Sequence, residues 1–198
     1  ENLKNEFLKN GADVVILGGQ SKNPSVQDIL NALDKLDKKI IYIYPNNKNI
    51  ISTAKLACEK SEKNAVVMET RTMLEGNFYI KDKNEVIEKV MEEEKRNTSI
   101  EVTKAVRDTK VDALEIKQGN YIALVNGKIK YAESDLQTLV SVVLDQNITK
   151  DTMTITVAEG SEKDEQCKKI IEEKSKNLYK TFIDGNQENY YYYIYLEN

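Results

Sequence analysis

The sequence of 198 residues lacks histidine and tryptophan, and it contains only two cysteines and two prolines. Without histidine the chain cannot build a Ser-His-Asp triad, a Cys-His dyad or a histidine-ligated metal centre. Cys58 and Cys167 lie far apart in the sequence, so they provide neither a four-cysteine zinc site nor a disulfide framework. This use of cysteine is typical of a reducing compartment, and we predict a cytoplasmic location.

Charge and hydropathy exclude further classes of protein. The formal net charge of −4 argues against a general nucleic-acid binder and against a binder of anionic membranes. No apolar run approaches the roughly 20 residues that span a bilayer, so we predict no transmembrane segment. The chain has few arginines, namely Arg71, Arg96 and Arg107, and each is a candidate for a bidentate contact with an oxyanion.

The first half of the chain alternates short apolar runs with segments of helical period. Residues 13–17, 40–44 and 65–68 each contain a continuous apolar run that predicts a buried strand. Apolar strands joined by helices are typical of a parallel sheet that is covered on both faces. We therefore predict an α/β fold class, with a β-α-β-α-β parallel sheet in a first subdomain over residues 1–96.

The second half begins where the helical period changes to alternation, near Arg96. Two alternating runs, 121–125 and 128–132, flank Asn126-Gly127 and predict a hairpin, because this dipeptide favours the tight turn between antiparallel strands. Helical stripes interrupt the later strands. We predict a second, smaller subdomain of mixed α/β structure over residues 97–198.

Polar loops follow the predicted parallel strands, and ligands of doubly wound sheets collect at such loops. A glycine pair lets the backbone approach a ligand closely, and the helix N-terminus after it offers unpaired N–H groups to an anion. The chain has neither a GxGxxG fingerprint nor a GxxxxGK[ST] loop, and we identify no catalytic or metal-ligating residue. The predicted partner- or anion-binding residues are Gly18, Gly19, Gln20, Asn23, Ser25, Asn47, Lys48, Arg71, Thr72, Arg107 and Asp108.

Structural roles are the alternative for these residues. Gly18-Gly19 can be a tight turn alone, and Asn23-Pro24-Ser25 a helix cap alone. The arginines can form ion pairs inside the fold, with Glu69 or Asp108. Because parallel strands end at one side of a sheet, we expect the loops after the first and third strands to converge there, with the Arg107 loop beside them.

Taken in order, the motifs of these loops resemble the C-terminal region of the dihydroxyacetone-kinase-like, ATP-binding subunit of bacterial fatty acid kinase. The resemblance covers almost the whole chain. It departs from the family at Leu74-Glu75, where the family usually has Pro-Gln, and at residues 185–188, where it tends toward Gly-Gly-Gln-Pro. The motifs are GGQSKNPS at 18–25, PNNKNI at 45–50, TRT at 70–72, AVRDT at 105–109 and IKQGNYI at 116–122.

The resemblance implies a non-catalytic C-terminal fragment of a kinase subunit. It implies that ATP and Mg²⁺ are bound by an N-terminal domain outside this sequence, so that this fragment itself holds no cofactor. The implied partner is a DegV-type protein that carries the fatty acid, and the implied product is an acyl phosphate used in phospholipid synthesis. The rest of the kinase subunit is a second implied partner, and a homodimer stays open.

Two other classes of function stay open beside this expectation. One is an independent α/β enzyme or ligand-binding domain for a small phosphorylated or carboxylated metabolite. The other is a structural module for dimerisation. An enzyme needs an acid, base or nucleophile with a tunable pKa, and without histidine the candidates are carboxylates, lysines and tyrosines.

Overall fold

A computed structural model divides the chain into two compact units, Leu3–Val90 and Met91–Asn198. Both units combine helices with sheets, so the predicted α/β fold class is confirmed. The predicted boundary between residues 96 and 97 lies close to this division. Within the described ranges, no helix is both long and apolar enough to cross a membrane. The structure describes residues 2–18, 23–81, 91–92 and 95–198.

The first unit contains a short parallel sheet and a layer of helices. The two strands pair in register, with Ile41 beside Ala65 and Ile43 beside Val67. Its described elements are α1 (Asn2–Lys9), α2 (Val26–Leu33), β1 (Ile41–Ile43), α3 (Lys48–Lys60), β2 (Ala65–Val67) and α4 (Met73–Lys81).

Helices α2 and α3 pack on one face of the β1–β2 sheet. Ile29 and Leu33 of α2 are buried against Ala54 and Ala57 of α3 and against Ile41 of β1. The two alanines are fully buried, so the helices approach the sheet closely there. This apolar layer holds the loops that follow β1 and β2 in fixed positions.

The predicted first strand is not formed. Residues 13–17 have no regular secondary structure, and the side chains of Val14, Ile16 and Leu17 are 39%, 38% and 60% exposed. A short apolar run becomes a strand only where a neighbour pairs with it, and the sheet that the described part of this unit forms has two strands. Of the expected β-α-β-α-β order, the structure therefore shows the second and third strands.

The second unit, which we expected to be the smaller, carries the larger sheet. Six strands lie in the order β7-β6-β3-β10-β8-β9, in which β8 and β9 are parallel and the other neighbours antiparallel. A separate hairpin joins β4 and β5. The elements are β3 (Thr98–Lys104), β4 (Thr109–Val111), β5 (Leu114–Ile116), β6 (Tyr121–Val125), β7 (Lys128–Glu133), α5 (Leu136–Asn147), β8 (Thr154–Glu159), α6 (Glu165–Lys174), β9 (Tyr179–Asp184) and β10 (Tyr190–Glu197).

Helices α5 and α6 cover one face of this sheet. Leu139 and Val143 of α5 and Cys167 of α6 are fully buried against Ile155 and Val157 of β8. Burial of each aliphatic side chain of this kind stabilises the fold by about 1.5–3 kcal/mol. Burial also raises the pKa of the Cys167 thiol to about 12, which disfavours the reactive thiolate and fits a packing role.

We expect Thr156→Val in β8 to stabilise the second unit. The Oγ1 of Thr156 is buried and has no hydrogen-bond partner among the described residues. An unsatisfied buried hydroxyl costs free energy, and valine keeps the same branched shape without it. The free energy of unfolding should rise by about 1 kcal/mol, as measured by urea denaturation.

Thr152→Val is the matched control for this change. Thr152 is similarly buried, but its Oγ1 accepts a hydrogen bond from the Thr149 amide at 2.9 Å and donates one to Asn198 at 2.6 Å. Valine at 152 should therefore lower the stability by about 1–3 kcal/mol, since two partners are left unpaired. Equal loss of stability in both variants would contradict the assignment of Thr156 as unsatisfied.

Candidate partner-binding site

The loops that follow β1 and β2 are joined by two hydrogen bonds. The amide of Asn46 donates to Oγ1 of Thr70 at 3.0 Å, and that hydroxyl donates to Oδ1 of Asn46 at 2.8 Å. Asn46 has a φ of 57°, a left-handed conformation that asparagine tolerates better than most residues. The structure thus brings the Asn47 loop and the Arg71 loop together at the carboxyl edge of the first sheet.

A capping box fixes the start of α4. Oγ1 of Thr72 accepts a hydrogen bond from the Glu75 amide at 3.3 Å. In return, Oε2 of Glu75 accepts from the amides of Thr72 at 3.4 Å and of Arg71 at 2.6 Å. Thr72 is 2% exposed, so its hydroxyl serves the cap, while the Arg71 side chain is exposed on a backbone that the cap holds in place.

Burial of the Glu75 carboxylate has an electrostatic cost. Glu75 is 8% exposed, and this burial raises its pKa above the usual value for glutamate. The backbone N–H groups of Arg71 and Thr72, which bond to the ionised form, offset part of the rise. Ionised Glu75 therefore contributes less to stability than the protonated form does.

We expect Glu75→Gln to change how stability depends on pH. A glutamate whose folded pKa is raised contributes stability below its unfolded pKa, about 4.3, and loses it as the pH rises through the folded value. Glutamine does not titrate and can still accept from the Arg71 amide. Urea unfolding at about pH 4 and pH 7 should show the variant gaining on the wild type at the higher pH. A difference that is constant between the two pH values would contradict this.

Several predicted site residues cap helices. Ser25 and Asp28 form a capping box at α2, in which Oδ2 of Asp28 accepts from the Ser25 amide at 2.8 Å. Oδ1 of Asn47 accepts from the amide of Asn49 at 2.9 Å and so caps α3, whose first residue, Lys48, is exposed. Gly18 and Asn23 are also exposed. The predicted site residues that lie outside the described residues are Gly19 and Gln20.

Arg107 and Asp108 lie in the second unit, at the base of the β4–β5 hairpin. Asp108 accepts a hydrogen bond from the Gln118 amide at 2.7 Å and one from Nζ of Lys117 at 3.4 Å. These contacts, the backbone one foremost, lower the pKa of Asp108. Arg107 is exposed, and its neighbour Val106 is 82% exposed. A cavity of about 300 Å³ is lined there by Asp108, Thr109, Lys110, Glu115, Ile116 and Lys117.

Glu69 and Asp108 are the carboxylates that were the candidate ion-pair partners of the arginines. Their described ion pairs are with lysines instead. Glu69 pairs with Lys55 at 2.5 Å, and Asp108 pairs with Lys117 at 3.4 Å. In the part of the chain that the structure describes, no group of three or more cysteine or carboxylate side chains could hold a metal ion. Arg71 belongs to the first unit and Arg107 to the second, and their convergence on one surface stays a prediction.

Polar residues that were not among the predicted site residues lie beneath the exposed ones. Asn46, Thr70 and Glu75 form the hydrogen bonds that hold the Arg71 loop, and Gly76 lets Asn46 approach α4. The spacing Thr72-x-x-Glu75 is a capping-box signature that could have revealed this role. The Asn46–Thr70 contact joins distant segments and has no local signature.

The fold is similar to solved structures of fatty-acid-binding proteins. The Fatty Acid Kinase (Fak) B3 protein of Streptococcus pneumoniae, loaded with linoleic acid, matches with a TM-score of 0.61 at 15% identity, over 88% of this chain and 76% of that one. A DegV family protein from Eubacterium eligens, loaded with heptadecanoic acid, matches with a TM-score of 0.58 at 12% identity, over 100% of this chain and 85% of that one. At such low identity the likeness shows the fold alone.

Comparison of the amino-acid sequence with known proteins identifies the family of the chain. An uncharacterised protein of Staphylococcus aureus strain USA300 is 30% identical over 209 residues, which cover 100% of this chain and 38% of that protein. The chain therefore spans well under half the length of the curated relatives that it matches. A family model described as FakA-like, C-terminal, in which FakA denotes the A-type subunit of fatty acid kinase, matches residues 1–197. The resemblance found in the motifs is thereby confirmed, and the chain belongs to the FakA-like C-terminal family of fatty acid kinase.

Proposed function

We propose that this chain recognises a DegV-type protein carrying a fatty acid, so that the acyl carboxylate can be phosphorylated by the longer kinase subunit. The family assignment supports a place in a kinase subunit. In this proposal the chain provides a docking surface, and the longer subunit supplies the catalytic residues.

The observation that carries the proposal is the exposed arginine at the start of α4. Its backbone amide is bonded to the buried carboxylate of Glu75, so the base of the Arg71 side chain is fixed while the guanidinium faces solvent. A guanidinium on a fixed backbone loses little entropy when it clamps an oxyanion. Arg71 is thus suited to bind a carboxylate or an acidic side chain of a partner.

Arg107 offers a comparable contact in the second unit. The carboxylate of Asp108 is anchored to the Gln118 amide, which fixes the loop beside the exposed Arg107. Val106 adds an exposed apolar side chain next to that charge. An apolar anchor beside an arginine is a combination that protein interfaces favour.

In this proposal, ATP and Mg²⁺ are bound by the part of the longer subunit that the chain does not span. Their role is to supply the phosphoryl group and to neutralise its charge. The residues of this chain hold the carrier in place for that step. The proposed location is the cytoplasm.

Calorimetric titration tests this function. The chain should bind the acyl-loaded DegV-type protein of the same organism with a dissociation constant of about 10 µM or tighter, and Mg-ATP should produce no heat of binding. Absence of carrier binding would contradict the proposal. Binding of Mg-ATP in the low micromolar range would favour an independent enzyme instead.

A further inference from the structure

The six-stranded sheet of the second unit has two edge strands, and neighbouring elements cover them to different extents. Edge strand β7 is flanked by the β4–β5 hairpin, whose Leu114 and Ile116 pack against Ile129 and Ala132. Edge strand β9 makes its described backbone ladder with β8 alone. Tyr179, at the start of β9, is 82% exposed, and the exposed charged residues of this edge strand are Lys180 and Asp184.

We propose that β9 pairs antiparallel with β9 of a second copy of this chain, with Phe182 on the two-fold axis. This pairing would join the two six-stranded sheets into one continuous sheet. It is a symmetric interface in which the same strand acts on both sides. The proposal concerns this edge alone and does not depend on carrier recognition.

Charge complementarity selects the register. With Phe182 opposite Phe182, Lys180 lies opposite Asp184 of the second copy, and this pair occurs twice. A shift of one residue places Lys180 opposite Ile183 and loses both pairs. Lys180 and Asp184 are both exposed, and cross-strand pairs of opposite charge stabilise a sheet.

The remaining pairs of this register also fit a sheet. Thr181 lies opposite Ile183 of the second copy, and both residues are β-branched, which favours cross-strand packing. The charged groups of Lys180 and Asp184 already have partners within the chain, and these contacts keep both groups near the exposed edge of β9. Nζ of Lys180 donates to the carbonyl of Ser175 at 2.8 Å, and Asp184 accepts from Lys163 at 3.0 Å across a largely exposed pair. Pairing with a second copy adds a counter-charge to each without burying an unpaired charge.

Sedimentation velocity over protein concentrations of about 1 µM to 1 mM tests the proposal. The wild-type chain should show a monomer–dimer equilibrium. Lys180→Asp and Asp184→Lys should each weaken dimerisation by about tenfold or more, because each places like charges opposite each other at two positions. The double variant Lys180→Asp, Asp184→Lys restores opposite charges in the same register and should recover the wild-type affinity.

Lys130→Asp on the opposite edge, β7, is the matched control and should leave dimerisation unchanged. Thermal unfolding of each variant shows whether the fold is intact. Recovery of the dimer affinity in the double variant shows that the single variants act through the charge pairs and not through local damage to the strand. A chain that stays monomeric over the whole range overturns the proposal. A dimer whose affinity in the single variants equals that of the wild type, or is not recovered in the double variant, overturns it as well.

Discussion

Replacement of Arg71 and of Arg107 by alanine is expected to weaken binding of the acyl-carrying partner by about 2–5 kcal/mol for each guanidinium that the partner buries. The loss is large because the acidic group of the partner is then left buried without its counter-charge. By the usual conversion this is a fall in affinity of about thirtyfold to several thousandfold. Calorimetric titration of each variant with the loaded carrier measures it.

Lys95→Ala is the control for the arginine variants, because Lys95 forms an exposed pair with Glu92 and exposed pairs contribute little. Melting temperatures should change little in the arginine variants, since both side chains are exposed and the Arg71 charge is only the last of the contributions that lower the pKa of Glu75. A fall in melting temperature together with binding would assign the arginines to the fold. Normal affinity in a well-folded double variant would exclude the proposed surface.

Local signals in the sequence predicted the elements that depend on neighbouring residues. The turn at Asn126-Gly127 has φ values of 48° and 75°, as the hairpin prediction requires. The helix that follows β7 begins after Asp135, whose carboxylate accepts from the Thr138 amide at 2.7 Å. Such contacts span two to four residues, so residue types at short spacing are enough to identify them.

Strand formation could not be predicted in the same way, because pairing depends on residues far apart in the chain. Residues 14–17 and 41–43 are both apolar, yet among the described residues only the second segment pairs with another strand, β2. Successive side chains of a strand point to opposite faces, so the sequence alone does not show how many of the four tyrosines at 190–193 are buried. The structure buries Tyr191, Tyr192 and Tyr193, because β10 lies in the interior of the sheet between β3 and β8.

In the candidate site, too, contacts between distant residues could not be predicted from the sequence. Exposed residues such as Arg71 could be identified by their rarity and their position after a strand. The buried support beneath them could not, since the Asn46–Thr70 bonds connect loops that are 24 residues apart. The departure from the family at Leu74-Glu75 was visible in the sequence, but only the structure shows that Glu75 bonds to the Arg71 amide.

This buried support leads to the second large expected effect, a loss of stability in Gly76→Ala. A Cβ at position 76 would lie 2.0 Å from Oδ1 of Asn46, so the Asn46 side chain would have to move. Movement breaks its hydrogen bond with Thr70 and crowds a buried turn of α4. The free energy of unfolding should fall by about 1–3 kcal/mol, measured by urea denaturation of the chain.

The substitution Asn46→Gly tests whether the clash with the Asn46 side chain causes the loss of stability in Gly76→Ala. Glycine accepts the φ of 57° without strain and removes the side chain that the new Cβ would strike. In this background Gly76→Ala should no longer destabilise the chain, and it should stabilise it by up to about 1 kcal/mol, because alanine favours the helix more than glycine does. The double-mutant cycle therefore predicts a strong coupling between positions 46 and 76. Additive effects of the two substitutions would show that the cost of a side chain at 76 arises elsewhere than at the Asn46–Thr70 contact.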